Sequence, residues 1–105
     1  MIKVEIFGES PILGFKIKGH SDFGEEGNDI ICAAVSAIAY MTVNTVTDVI
    51  NVKPLVLYEA SGKMELKLDE SSARRCSDIL SGFVLQICSL AEEYNKYIKV
   101  KKVLK

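Results

Sequence analysis

The sequence has no tryptophan, a single histidine and only two prolines. With so little proline and no low-complexity tract, wholesale disorder is excluded. It also lacks an excess of either charge: 13 basic residues stand against 14 acidic ones, for a formal net charge of −1. Bulk electrostatics therefore gives no reason to expect direct nucleic-acid binding. The one basic cluster along the chain is the tail, with Lys96, Lys99, Lys101, Lys102 and Lys105; it reads as a solvated strand edge, the lesser alternative being a basic face touching ribosomal RNA, for which so few charges would give only weak, salt-sensitive binding. The three cysteines, Cys32, Cys76 and Cys88, are odd in number and irregular in spacing, which excludes a disulfide framework and points to a reducing cytoplasm. No secretory leader is expected, because Lys3 and Glu5 already alternate with apolar residues. The apolar stretch 30–43 reads as too short, and too rich in Ala, Ser and Thr, to span a bilayer. No Cys-x-x-Cys or His-x-x-x-His pair exists to hold a metal. Gly24-Glu25-Glu26-Gly27 is too acidic to cradle a phosphate. Neither a metal, a cofactor nor a membrane is expected.

What remains is an ordinary globular composition, 49% hydrophobic and 26% charged over 105 residues, which fits a single domain spanning 1–105. Residues 1–7 alternate, with Ile2, Val4 and Ile6 against Lys3 and Glu5, as a half-buried strand does. Residues 12–18 alternate again across the turn at Gly8-Glu9-Ser10-Pro11, predicting an antiparallel hairpin. A helix follows from Ile30 to about Ile50, apolar almost all round and so expected to be buried on several sides or covered by a second subunit. Residues 55–60 and 63–69 form a second hairpin, with Met64, Leu66 and Leu68 inward. A second helix, capped by Ser71 or Ser72, runs to about Tyr94 on a stripe containing Cys76, Leu80, Phe83 and Ile87. A short strand at residues 98–103 ends the pattern. The order predicts an α+β fold, a mostly antiparallel sheet with two helices packed on one face.

The segment with chemical content lies between the first hairpin and the first helix. His20 stands where the second strand runs out, and the stretch 19–28 is rich in glycine and charge, a flexible loop by composition. Asp29 reads as a helix N-cap, placing Cys32 in the first turn, where unpaired N–H groups and the helix dipole favour a thiolate. Cysteine with histidine is the minimum set for nucleophilic acyl transfer. The Cys32 and Ala33 amides are candidate oxyanion donors. Plainer readings stand beside this one. A cysteine in an Ala-rich helix is ordinarily core filler, and a lone histidine at a strand end is ordinarily a surface residue. Asp29 either caps the helix or orients His20.

The run Gly19-His20 … Gly27-x-Asp29-Ile30-Ile31-Cys32-Ala33-Ala34-Val35-Ser36 resembles the signature of the bacterial ribosomal-processing cysteine proteases, and the likeness extends to the length and element order of the chain. The resemblance implies a homodimeric α+β cysteine protease domain. Its substrate would be the short N-terminal extension of ribosomal protein twenty-seven of the large subunit, cut after an aromatic residue, a step needed for ribosome assembly. It makes His20 the catalytic histidine and Cys32 the nucleophile, gives Asp29 and Ser36 a supporting part, and makes Ser21, Asp22, Phe23, Gly24 and Gly27 part of a flexible cover over the site. Phe23 would help close an apolar pocket around the substrate ring. One departure is Ser21-Asp22-Phe23, which stands where relatives often carry a small residue followed by an aromatic residue or glycine. The alternatives are a non-catalytic ribosome-associated binding module and a cysteine acyltransferase of another kind.

Overall fold

A computed structural model of the chain describes residues 1–19, 28–60 and 62–103, without the side chains of 28 and 29. His20 and the loop positions Ser21, Asp22, Phe23, Gly24 and Gly27 lie outside the described residues. Five strands and three helical segments follow in the order β1 (Ile2–Gly8), β2 (Ile12–Lys18), α1 (Asn28–Asn44), β3 (Val56–Ala60), β4 (Lys63–Lys67), α2 (Glu70–Arg75), α3 (Ser77–Glu93) and β5 (Ile98–Val103), with a π-helical turn, Thr45–Val49, continuing α1. The strands make one sheet in the order β3-β4-β2-β1-β5. Every neighbouring pair is antiparallel except β1 with β5, which run parallel.

Alternation along the strands gives the sheet two unlike faces. Ile2, Val4, Ile6, Phe15, Ile17, Met64 and Leu66 point to one side and are buried to 2% exposure or less. The helices cover that side: Val35, Ala39 and Val46 of the first helical run and Leu80, Phe83 and Ile87 of α3 join the same core. Phe15 and Phe83 stack with ring centroids 4.1 Å apart, which fixes α3 over the middle of the sheet. Such a pair contributes about 0.5–1.5 kcal/mol beyond the area it buries. The α+β class and the one-sided helix layer thus follow the sequence pattern.

Three local expectations need correcting. The second helix is capped by Asp69, whose carboxylate accepts the Ser72 N–H at 2.8 Å, and neither Ser71 nor Ser72 is the cap. That helix is also broken at Cys76, where the backbone leaves helical geometry (φ −103, ψ 14) and α3 starts afresh. The first helix is longer than its most apolar part: the run Ile30–Val49 spans 20 residues at a mean hydropathy of 1.7, long and apolar enough by composition alone to cross a membrane. Its inner face packs into the protein core, which is reason enough for that composition. The run loosens where threonines accumulate. Thr42, Thr45 and Thr47 turn their hydroxyls back to the carbonyls of Ile38, Met41 and Val43. Such bonds compete with the helical ladder, and Ile50 N–H then reaches back five residues to Thr45 O. Val49, at the end of this turn, is 72% exposed.

Candidate active site

The site forms where β2 ends and α1 begins. Gly19, the first residue after β2, is pinned from two sides. Its N–H donates to the Gly62 carbonyl at 2.7 Å, and a Cβ added to it would lie 2.6 Å from the Met1 carbonyl oxygen. Its φ of +86° is one that L side chains avoid. Only glycine satisfies both conditions. The backbone just before His20 is therefore tied to the start of β1 and to the β3–β4 turn.

Helix α1 begins at Asn28, so Asp29 lies within its first turn and not at the cap. Cys32 is the fifth helical residue. Helical geometry directs the N–H groups of Cys32 and Ala33 to the carbonyls four residues back, so they are committed to the helix. The unpaired N–H groups belong to its first residues. Positions 29, 32 and 36 are spaced i, i+3, i+7 and share one face of the helix. Cys32 is buried, 1% exposed, and its thiol donates to the Gly19 carbonyl at 4.0 Å, the outer limit for sulfur. Ser36 is half-buried one turn further on. The structure thus brings Cys32 against the residue that precedes the only histidine in the chain. Cys76 and Cys88 lie elsewhere, at the start of α3 and within it, and none of the three cysteines is in a disulfide. Burial pushes the Cys76 thiol up, with Arg75 opposing.

Two features of the site escaped the sequence. The first is the Gly19 carbonyl as partner of the thiol; the glycine before the histidine was its only signal. The second is an apolar groove of about 380 Å³ between α1 and the end of α3, lined by Ile30, Ile31, Ala34, Leu90, Tyr94 and Tyr97. By helix register its α1 wall is on the flank opposite Cys32 and Ser36. Among the described residues no group of three His, Cys, Asp or Glu side chains is placed to hold a metal ion.

The sequence profile of the family described as cysteine protease Prp matches residues 1–99. The chain belongs to that family. It is 25% identical over 100 residues to the ribosomal processing cysteine protease Prp of Staphylococcus aureus strain Mu50, covering 94% of both chains. It is 26% identical over 94 residues to the Bacillus subtilis strain 168 protein of the same name, covering 85% of this chain and 84% of the other. The crystal structure of the essential S. aureus Prp in complex with a substrate peptide superposes with a TM-score of 0.86 at 25% identity, over 98% of this chain and all of the other. A cysteine protease needs a nucleophilic thiol, and the Cys32 thiol lies against Gly19, at the pinned end of β2.

Proposed function

We propose that the chain is a cytoplasmic cysteine endopeptidase that removes the short N-terminal extension of ribosomal protein twenty-seven of the large subunit, cutting after an aromatic residue. The observation that carries this reading is the contact of the Cys32 thiol with the Gly19 carbonyl. That contact sets the sulfur against Gly19, the residue that precedes the chain's one histidine in sequence, and histidine is the side chain suited to serve as a base near neutral pH. In the reaction, His20 takes the thiol proton and Cys32 sulfur attacks the scissile carbonyl. The oxyanion collapses and expels the amine, which leaves with the proton held by His20. Water then attacks the thioester, its proton passing to the imidazole, and the thiol is regenerated. Asp29 and Ser36, on the Cys32 face of α1, support the site. Three cysteines with no disulfide among them accord with a reducing compartment. The experiment is incubation with a peptide carrying the extension, with fragments read by mass spectrometry. Failure to cut an extended peptide with an aromatic residue at the junction would remove the proposal.

Thiol labelling separates reactivity from access. Cys88 is half-buried while Cys32 is almost fully covered, so static access alone would favour Cys88. A sulfur that trades its proton with an imidazole reverses that order. An alkylating reagent is expected to modify Cys32 first and Cys76 last, as read by peptide mapping. Labelling of Cys88 before Cys32 would count against an activated thiol.

The homodimer rests on the outer face of α1. Residues 30–47 contain no charge, and on the face turned from the core Ile30 is 76% and Met41 57% exposed. A face of that kind on a helix is ordinarily covered. Tyr40 stands on the same face, and the Glu59 carboxylate of the edge strand acts on its hydroxyl to raise its pKa. Met41→Glu is expected to weaken self-association at least about tenfold, read by sedimentation velocity. A parent protein that sediments as an 11.6 kDa monomer at micromolar concentration would contradict the dimer.

A further inference from the structure

The face of the sheet away from the helices sorts the charges of the chain in a way that its linear order hides. Strand register places Lys99, Lys3, Lys18 and Lys63 in one line across β5, β1, β2 and β4. The next line reads Lys101, Glu5, Lys16, Glu65 and Tyr58. A third holds Phe7, Gly14, Lys67 and Val56. Seven lysines thus stand with two glutamates, a surplus of five positive charges on one face of a chain whose net charge is −1. The single ion pair among the described residues is Arg74–Glu70 on α2, so neither glutamate neutralises a lysine in a direct pair. Lys3, Glu5, Lys16, Lys18, Lys99 and Lys101 line a shallow basin of about 280 Å³. Two aromatic rings sit among the ammonium groups: Lys67 lies 5.1 Å from the Phe7 ring centre and Lys63 lies 5.5 Å from that of Tyr58.

We infer that this open sheet face is a docking surface for RNA. Like charges set directly opposite one another on neighbouring strands destabilise a sheet, and Lys3 has a lysine opposite it on both sides. A bound polyanion relieves that repulsion. Lysines repeat at about 4.8 Å across strands and about 6.8 Å along them, a grid of point charges that a phosphate backbone can follow without sequence readout. Rings between cations are the stacking platform that single-stranded nucleic acid uses. The face carries no apolar helix of the kind that lies in a membrane surface. The choice of RNA over DNA rests on the proposed function, in which the substrate is a ribosomal protein.

The test is fluorescence anisotropy with a mixed-sequence RNA of about 20 nucleotides, the DNA of the same sequence, and vesicles containing phosphatidylserine, at low salt and across a salt series. The parent protein is expected to bind the RNA most tightly, with log affinity falling linearly with log salt. Lys3→Glu should bind RNA more weakly yet melt no lower than the parent, because it replaces repulsion with attraction. The combined Lys3→Glu, Lys99→Glu, Lys101→Glu variant is expected to lose at least about tenfold in affinity and to flatten the salt slope by about 0.7–1 per lysine. Cleavage of the short extension peptide should be unchanged in both. RNA binding that is absent in the parent, undiminished in the triple variant, or weaker than binding to DNA or vesicles overturns the inference. Failure of the parent to cut the peptide would instead remove the protease reading and leave the surface to be judged by its own data.

Discussion

Replacing Cys32 by alanine is expected to stop peptide cleavage while the protein stays folded. The sulfur forms the bond on which both halves of the proposed reaction depend, and no other thiol is near enough to substitute: Cys76 is buried at the start of α3, with its pKa raised, and Cys88 lies three turns further along that helix. The expected loss is at least about 10⁴-fold, because removing the nucleophile leaves only what binding and oriented dipoles supply. The cost to the fold is small by comparison. Cys32 is followed by two alanines in α1, and removing one sulfur from a buried position costs about 1 kcal/mol, the centre of the range for point substitutions. Circular dichroism should give a melting curve close to the parent's while mass spectrometry finds no product. Cys32→Ser provides a second check, since a hydroxyl fills the space but does not ionise near neutral pH. Cleavage by either variant within tenfold of the parent rate would end the assignment of Cys32 as nucleophile.

Much of the architecture was legible in the sequence because the strands alternate cleanly. Ile2, Val4 and Ile6 against Lys3 and Glu5 define the buried side of β1 without any tertiary information, and Met64, Leu66 and Leu68 do the same around β4. The edge strand β3 was harder. Its residues are apolar apart from Glu59, yet all five are exposed, because burial there depends on whether anything covers the end of the sheet, which no local pattern encodes. The second helix read as one piece because its stripe runs unbroken through Cys76, while the break lies in backbone geometry that a stripe does not record. Asp69 escaped as the cap because Ser71 and Ser72 are equally good capping residues and nearer the apolar run. The candidate site residues stood out as a motif, but the thiol's contact with a backbone carbonyl did not, since carbonyls are the same in every residue. The basic sheet face was invisible for another reason. Its lysines come from positions 3, 16, 18, 63, 67, 99 and 101, and only strand order and register bring them together.

The burial of Cys32 makes the second large effect, that of His20→Ala, the sharper test. The thiolate, and not the thiol, is the nucleophile. The Cys32 thiol contacts the Gly19 carbonyl at 4.0 Å, and a carbonyl cannot take its proton. A base must take the proton at the moment of attack and return it to the leaving amine. The chain has one histidine, and it directly follows the residue whose carbonyl the thiol contacts. His20→Ala is expected to lower kcat/KM by about 10³-fold, within the range for loss of a general acid–base group. Added imidazole should restore part of the rate. Labelling of Cys32 by an alkylating reagent should slow at neutral pH and recover as the pH rises, since hydroxide then does what the imidazole did. The fold should be untouched. A variant that keeps its rate within tenfold, with the labelling profile of the parent, would mean that the sulfur is ionised by something other than His20.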